Sequence, residues 1–213
     1  MRKAILVGVT CLVSVGGERC LAQQPVLQPI DIYINERKGD WVDFDIDYGA
    51  FMVSRAQAYV GKAEKGAWQR VRLPAAVSKA GRSWDAYDFV NEEAQAAVHA
   101  ALMRKLAGEK MGVSKPFKLR EKDIAVVSLK PDSQSKGSRL ASGELWIAGA
   151  IAVKLTLNRS KWSDELEHSW VGFSGQWVKD ERVWHDVLVF KEKSAKKMVD
   201  ALVRGAYQSR YMH

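Results

Sequence analysis

The chain has 213 residues, 47% of them apolar and 27% charged, with 33 bases against 25 acids for a net charge of +8. Length and composition suit one ordinary domain or two small ones, and they exclude wholesale disorder, a collagen or coiled-coil rod and a multi-span membrane protein. A chain of this size buries roughly 70% of its unfolded surface and needs neither metal nor disulfide to be stable.

The first 22 residues read as a signal peptide. Arg2 and Lys3 precede the uncharged, mostly apolar run from Ala4 to Val15, and Cys20-Leu21-Ala22 offers small residues three and one places before a cut at Gln23. The apolar run is shorter than the ~20 residues a bilayer requires. No second stretch approaches that length, so the mature chain is expected to lack a transmembrane span. Both cysteines, Cys11 and Cys20, fall inside the signal. The mature chain therefore has no thiol for a disulfide, a zinc–thiolate site or a nucleophile. Arg19 before Cys20 disfavours lipidation. Cleavage removes three bases and one acid, leaving the mature chain at +6. The expected location is the periplasm or the medium.

Residues 23–29 form a proline-bracketed extended leader, and one α+β domain is expected over 30–213. Ile30–Ile34 and Val42–Tyr48 alternate apolar with polar residues around the turn Arg37-Lys38-Gly39-Asp40, the pattern of a hairpin. Phe51–Val60 and Ala67–Leu73 read as further strands, and 74–84 as a loop. Residues 85–107 predict a helix. Val90, Ala94, Ala97, Val98, Ala101, Leu102 and Leu106 form its apolar stripe, with acids early and bases late. Asp123–Leu129 is the next strand, followed by a Ser-, Gly- and Lys-rich flexible loop over 131–143.

Glu144–Asn158 reads as one long strand. Leu145, Ile147, Ile151, Val153, Leu155 and Leu157 lie on one face; Trp146, Ala148, Ala150, Ala152, Lys154 and Thr156 lie on the other. Residues 169–178 and 182–190 predict a hairpin. A final helix is expected from a Ser194 cap, with Ala195, Met198, Val199, Leu202, Val203 and Ala206 inward. Sheets followed by helices without βαβ alternation give the α+β class, with an antiparallel sheet of meanders and hairpins and two main helices packed on one face.

Several constellations point to weak chemistry. Asp43, Asp45 and Asp47 alternate as calcium-loop acids do, but the loop's glycine position holds Tyr48 and its final acid position Ser54, so a charged strand face is expected. The four histidines lack zinc-ligand spacing, and neither a serine elbow nor a phosphate loop is present. No metal or cofactor is expected.

Two features favour binding. Bases crowd residues 104–122 (local charge +5) and 191–210 (+4), making Arg104, Lys105, Lys196 and Lys197 candidates for one positive field. Five tryptophans, Trp146, Trp162, Trp170, Trp177 and Trp184, lie within 39 residues. Trp146, Trp177 and Trp184 are the candidates for an aromatic ligand surface. The expectation is a non-enzymatic binding or accessory protein of the cell envelope, with an anionic envelope component or an acidic protein as partner and no nucleic acid. The alternatives are a hydrolase of an envelope polymer, using an acid such as Glu165 or Glu167, and a periplasmic inhibitor or immunity protein.

Overall fold

The computed structural model describes residues 26–61, 71–111, 117–132, 138–163 and 165–212. The expected signal peptide lies outside the described residues. The N-terminal meander forms as its alternation predicts: β1 (Asp31–Lys38), β2 (Trp41–Asp47) and β3 (Phe51–Tyr59) pair antiparallel. Gly39, at φ +61°, makes the first turn tighter than expected, so Arg37 and Lys38 stay within the strand. Most of the strand expected at Ala67–Leu73 is outside the described residues; its end is β4 (Val71–Arg72), paired with β3.

Residues 74–84 are not simply a loop. They contain β5 (Ala76–Val77) and β6 (Ser83–Trp84), and β7 (Tyr87–Phe89) follows. The expected helix accordingly starts later, as α1 (Glu92–Leu106), with the Asn91 side chain accepting from the amide of Ala94 at 2.8 Å. The segment before it is drawn into a sheet edge, where the Lys154 amide donates to the Ala86 carbonyl and the Val90 amide to that of Ala150.

The long strand expected over 144–158 is a hairpin. β8 (Ile124–Pro131), β9 (Arg139–Ile147) and β10 (Ile151–Asn158) run antiparallel. β9 therefore begins inside the segment expected as a loop, of which 133–137 lie outside the described residues. Ala148 (φ +52°) and Gly149 (φ +64°) supply the two left-handed residues of the turn. Three turn residues keep the side-chain parity, so Ile147 faces Ile151 and the expected apolar face survives intact.

The later hairpin also splits. β11 (Trp170–Phe173) joins β10, whereas β12 (Gly175–Val178) pairs with β13 (Val183–Asp186) in a separate small sheet, and β14 (Leu188–Phe190) returns to β3. Ser174 and Val187 are the points where the chain changes sheet.

Three sheets result: β1-β2-β3-β14 with β4 attached, β11-β10-β9-β8 with β7 attached, and β13-β12-β5-β6. α1 lies against β1, β4 and β7, while α2 (Lys193–Tyr211) touches β11, β8 and β14. Ser194 is not the cap of α2. The N-cap is Glu192, whose carboxylate takes the Ser194 hydroxyl at 3.1 Å. Ala195, Val199 and Val203 bury the inner stripe of α2, with Met198, Leu202 and Ala206 partly buried beside them.

Phe44, Ile46, Tyr48 and Phe51 from the first sheet and Leu145, Ile147, Ile151 and Leu157 from the second are fully buried in one contiguous cluster with both helices. Each such side chain contributes on the order of 1.5–3 kcal/mol. No described helix is long and apolar enough to cross a membrane.

Candidate functional site

The apolar face of the second sheet is used up in the core, so its other face is available to solvent. Register assigns that face row by row. Ala125, Trp146 and Ala152 form one row; Ser128, Glu144 and Lys154 the next; then Lys130, Ser142, Thr156 and Gly172; and last Arg139, Asn158 and Trp170. Irregularities at Val126/Ser128 and Leu157/Asn158 bring Ser128, Lys130 and Arg139 onto this face.

An open cleft of about 500 Å3 lies over these rows. Its floor is Ser128, Lys130, Arg139, Ser142, Glu144, Lys154 and Thr156, and Trp84 and Ser174 wall it at the β10 edge. Three cations thus share it with one carboxylate. Glu144 accepts the Trp146 indole N–H at 2.8 Å, and Lys154 Nζ donates to the Asp85 carbonyl at 2.7 Å. Lys130 and Arg139 have no ion-pair partner among the described residues. An uncompensated pair of cations above hydroxyl groups attracts anions and can hydrogen-bond them.

The bases expected to form one field are largely engaged elsewhere. Arg104 pairs with Glu109 at 2.8 Å and Lys105 with Asp31 at 2.7 Å. Lys196 pairs with Asp200 at 2.6 Å and donates to the Val171 carbonyl at 3.0 Å, which leaves Lys197, exposed, as the member of that group without an ion pair among the described residues. The two pairs of bases also sit on different helices, whose main strand contacts differ: β1, β4 and β7 for α1, and β8, β11 and β14 for α2.

The tryptophans divide. Trp146 is half-buried and positions Glu144 rather than lining the cleft. Trp177 and Trp184 face each other across β12 and β13, edge to face at 5.6 Å, with the Lys79 ammonium 4.6 Å from the Trp177 ring. Trp84 and Trp170, which sequence reasoning did not select, are respectively 42% and 52% exposed and flank the basic floor. The signal for the floor was present in part: Lys154 and Thr156 were legible opposite the aliphatic face. Lys130 lies just before, and Arg139 inside, the segment 131–143 read as a loop, where no face can be assigned.

The acidic strand β2 is not the solvent-facing row expected. Asp47 is 2% exposed and is held by Lys191 Nζ at 2.6 Å, the Tyr33 hydroxyl at 3.3 Å and the Gly49 amide at 2.7 Å. Asp45 takes the Asn35 amide and the backbone N–H of Arg55, whose φ of +65° marks a bulge in β3. Asp43 takes Gln57 at 2.9 Å. These partners offset the row of charge. Glu165 and His168 approach each other at 3.2 Å on an exposed turn, and neither they nor Glu167 line the cleft.

Among the described residues no group of three or more His, Cys, Asp or Glu is placed to hold a metal ion. No family model matches the chain, and neither the curated proteins nor the solved structures provide a match.

Proposed function

We propose that this chain is an exported, non-enzymatic binding protein of the cell envelope, and that the cleft over β8, β9 and β10 receives an anionic envelope component. The observation that carries the reading is the floor itself: Lys130, Arg139 and Lys154 stand among Ser128, Ser142 and Thr156, with Glu144 as the single acid. Such a floor offers charge attraction with hydrogen bonds to fix orientation, which is what a binding site for an oxyanion needs. Export rests on the charged start, apolar run and Cys20-Leu21-Ala22 site of the first 22 residues.

The test is a titration with fluorescent polyglutamate at low and physiological salt. Binding is expected to weaken as salt screens the cleft, to be lost in the Lys130→Glu/Arg139→Glu double variant and to persist in Lys197→Glu. Equal binding by all three proteins would remove the cleft from the reading. Mass spectrometry of the protein from an envelope fraction should give an N-terminus at Gln23; a full-mass chain found in the cytoplasm instead would refute export.

A further inference from the structure

We infer that the ligand of this face is an extended acidic glycan, a chain of sugar rings bearing single carboxylates; the inference rests on the anion-binding reading above and names its ligand class. Two observations carry it, the register of the floor and the exposed rings beside it.

The first is how the positive charge is distributed. Lys154, Lys130 and Arg139 occupy three successive rows of the outer face and belong to three different strands, β10, β8 and β9. Successive rows on one face are two residues apart, roughly 7 Å along the strand. Cations staggered in this way spread positive charge along the face instead of stacking it in one row. They suit single negative charges repeated along a polymer. Hydroxyl-bearing Ser142 and Thr156 share the middle row with Lys130, and such groups pair with the hydroxyls of a sugar.

The second is the position of the aromatic rings. Trp170 stands in the Arg139 row at one end of the floor, and Trp84 walls the cleft beside Lys154 and Ser174. Both indoles are substantially exposed, at 52% and 42%. Gly172, one row along β11 from Trp170, lets the indole lie across it: a Cβ there would be 2.9 Å from Thr156 Oγ1 and 3.0 Å from both Asn158 Nδ2 and the Trp170 ring. A flat indole face packs on the C–H face of a pyranose ring, and its rigidity limits the entropy lost on binding. Rings placed at the end and side of a cationic floor fit a ligand with sugar faces as well as charge. A peptide or a lipid phosphate needs only the charge.

Charge and ring arms separate in the experiment. The purified protein is titrated at low salt with polygalacturonate, a neutral glucan and polyglutamate, following tryptophan fluorescence and calorimetry. Polygalacturonate is expected to bind more tightly than polyglutamate, and the neutral glucan least. Trp170→Ala and Trp84→Ala should each weaken polygalacturonate about tenfold, the scale of one lost stacked ring, while leaving polyglutamate unchanged. Trp170→Phe and Trp84→Phe, which keep a ring, should retain most of the affinity, with circular dichroism verifying the fold of all four variants. Equal binding of polygalacturonate and polyglutamate, indifferent to both Trp→Ala changes, would overturn the glycan assignment and leave the anion-binding cleft standing. Tight binding of the neutral glucan would overturn the acidic requirement. Binding of none of the three would overturn the inference together with the reading beneath it.

Discussion

Replacing Tyr48 with Phe should stabilise the protein. Tyr48 is fully buried, its ring stacks on Phe51 with centroids 4.8 Å apart, and its hydroxyl has no hydrogen-bond partner among the described residues. A buried hydroxyl without a partner costs about 1–3 kcal/mol of desolvation, whereas the ring's apolar packing is the same in Phe. Deducting the small void left by one oxygen gives a net gain of about 1 kcal/mol, which raises Tm by roughly 2–4 °C for a chain of this length. Urea unfolding followed by tryptophan fluorescence should show a higher midpoint at unchanged slope. Burial also raises the Tyr48 phenol far above its ordinary value of 10.0. The neutral form is therefore favoured in the fold, and this contribution is complete below pH 10 and lost as pH rises beyond it, where the unfolded chain releases the proton first. The Phe variant should accordingly lose stability less steeply above pH 10. Tyr87 provides the contrast: its phenol is raised by burial too, but its hydroxyl donates to the Ser174 carbonyl, so Tyr87→Phe should cost about 1 kcal/mol. A drop of more than about 1 kcal/mol in Tyr48→Phe would mean that the hydroxyl has a partner and that this account of the core is wrong.

Two further outcomes follow from the packing. Gly143→Ala would push a methyl group into the Ser128 carbonyl of the neighbouring strand, so it should destabilise by about 2 kcal/mol or more and open the β8–β9 pairing, as hydrogen exchange at Leu129 and Lys130 would reveal; an unchanged midpoint would refute it. Leu102→Ala, at a fully buried site, should cost about 2–5 kcal/mol, while Leu202→Ala on the half-buried flank of α2 should cost nearer 1 kcal/mol; the reverse order would mean the helix faces are misassigned.

Local periodicity made much of this architecture legible. The alternation of Ile30–Ile34 and Val42–Tyr48 gave β1 and β2, and the three- and four-residue spacing from Ala94 to Leu106 gave α1. The two faces of 144–158 hold on either side of the turn, because its three residues preserve parity, whereas Ala148 and Ala150, read as outer-face residues, are buried in the turn itself. The site was less legible. Lys154 and Thr156 could be put on a solvent face, but nothing local relates them to Lys130, Arg139, Trp84 or Trp170, which come from other strands.

By itself, the sequence determined the α+β class, the inward faces of both helices and the β1–β2 hairpin, all of which arise from side-chain periods within a dozen residues. Only the tertiary structure decided which strands share a sheet. It drew Tyr87–Phe89 out of the expected helix to satisfy the edge of β10, and it split the last hairpin at Ser174 and Val187 among three sheets. It also decided which charges remain available. Lys105 of α1 is engaged by Asp31 of β1, whereas Lys130 and Arg139 stand over the cleft. Whether a cation is neutralised depends on carboxylates brought to within 4 Å of it by long-range strand and helix packing, and a count of charges along the chain carries no information about that distance.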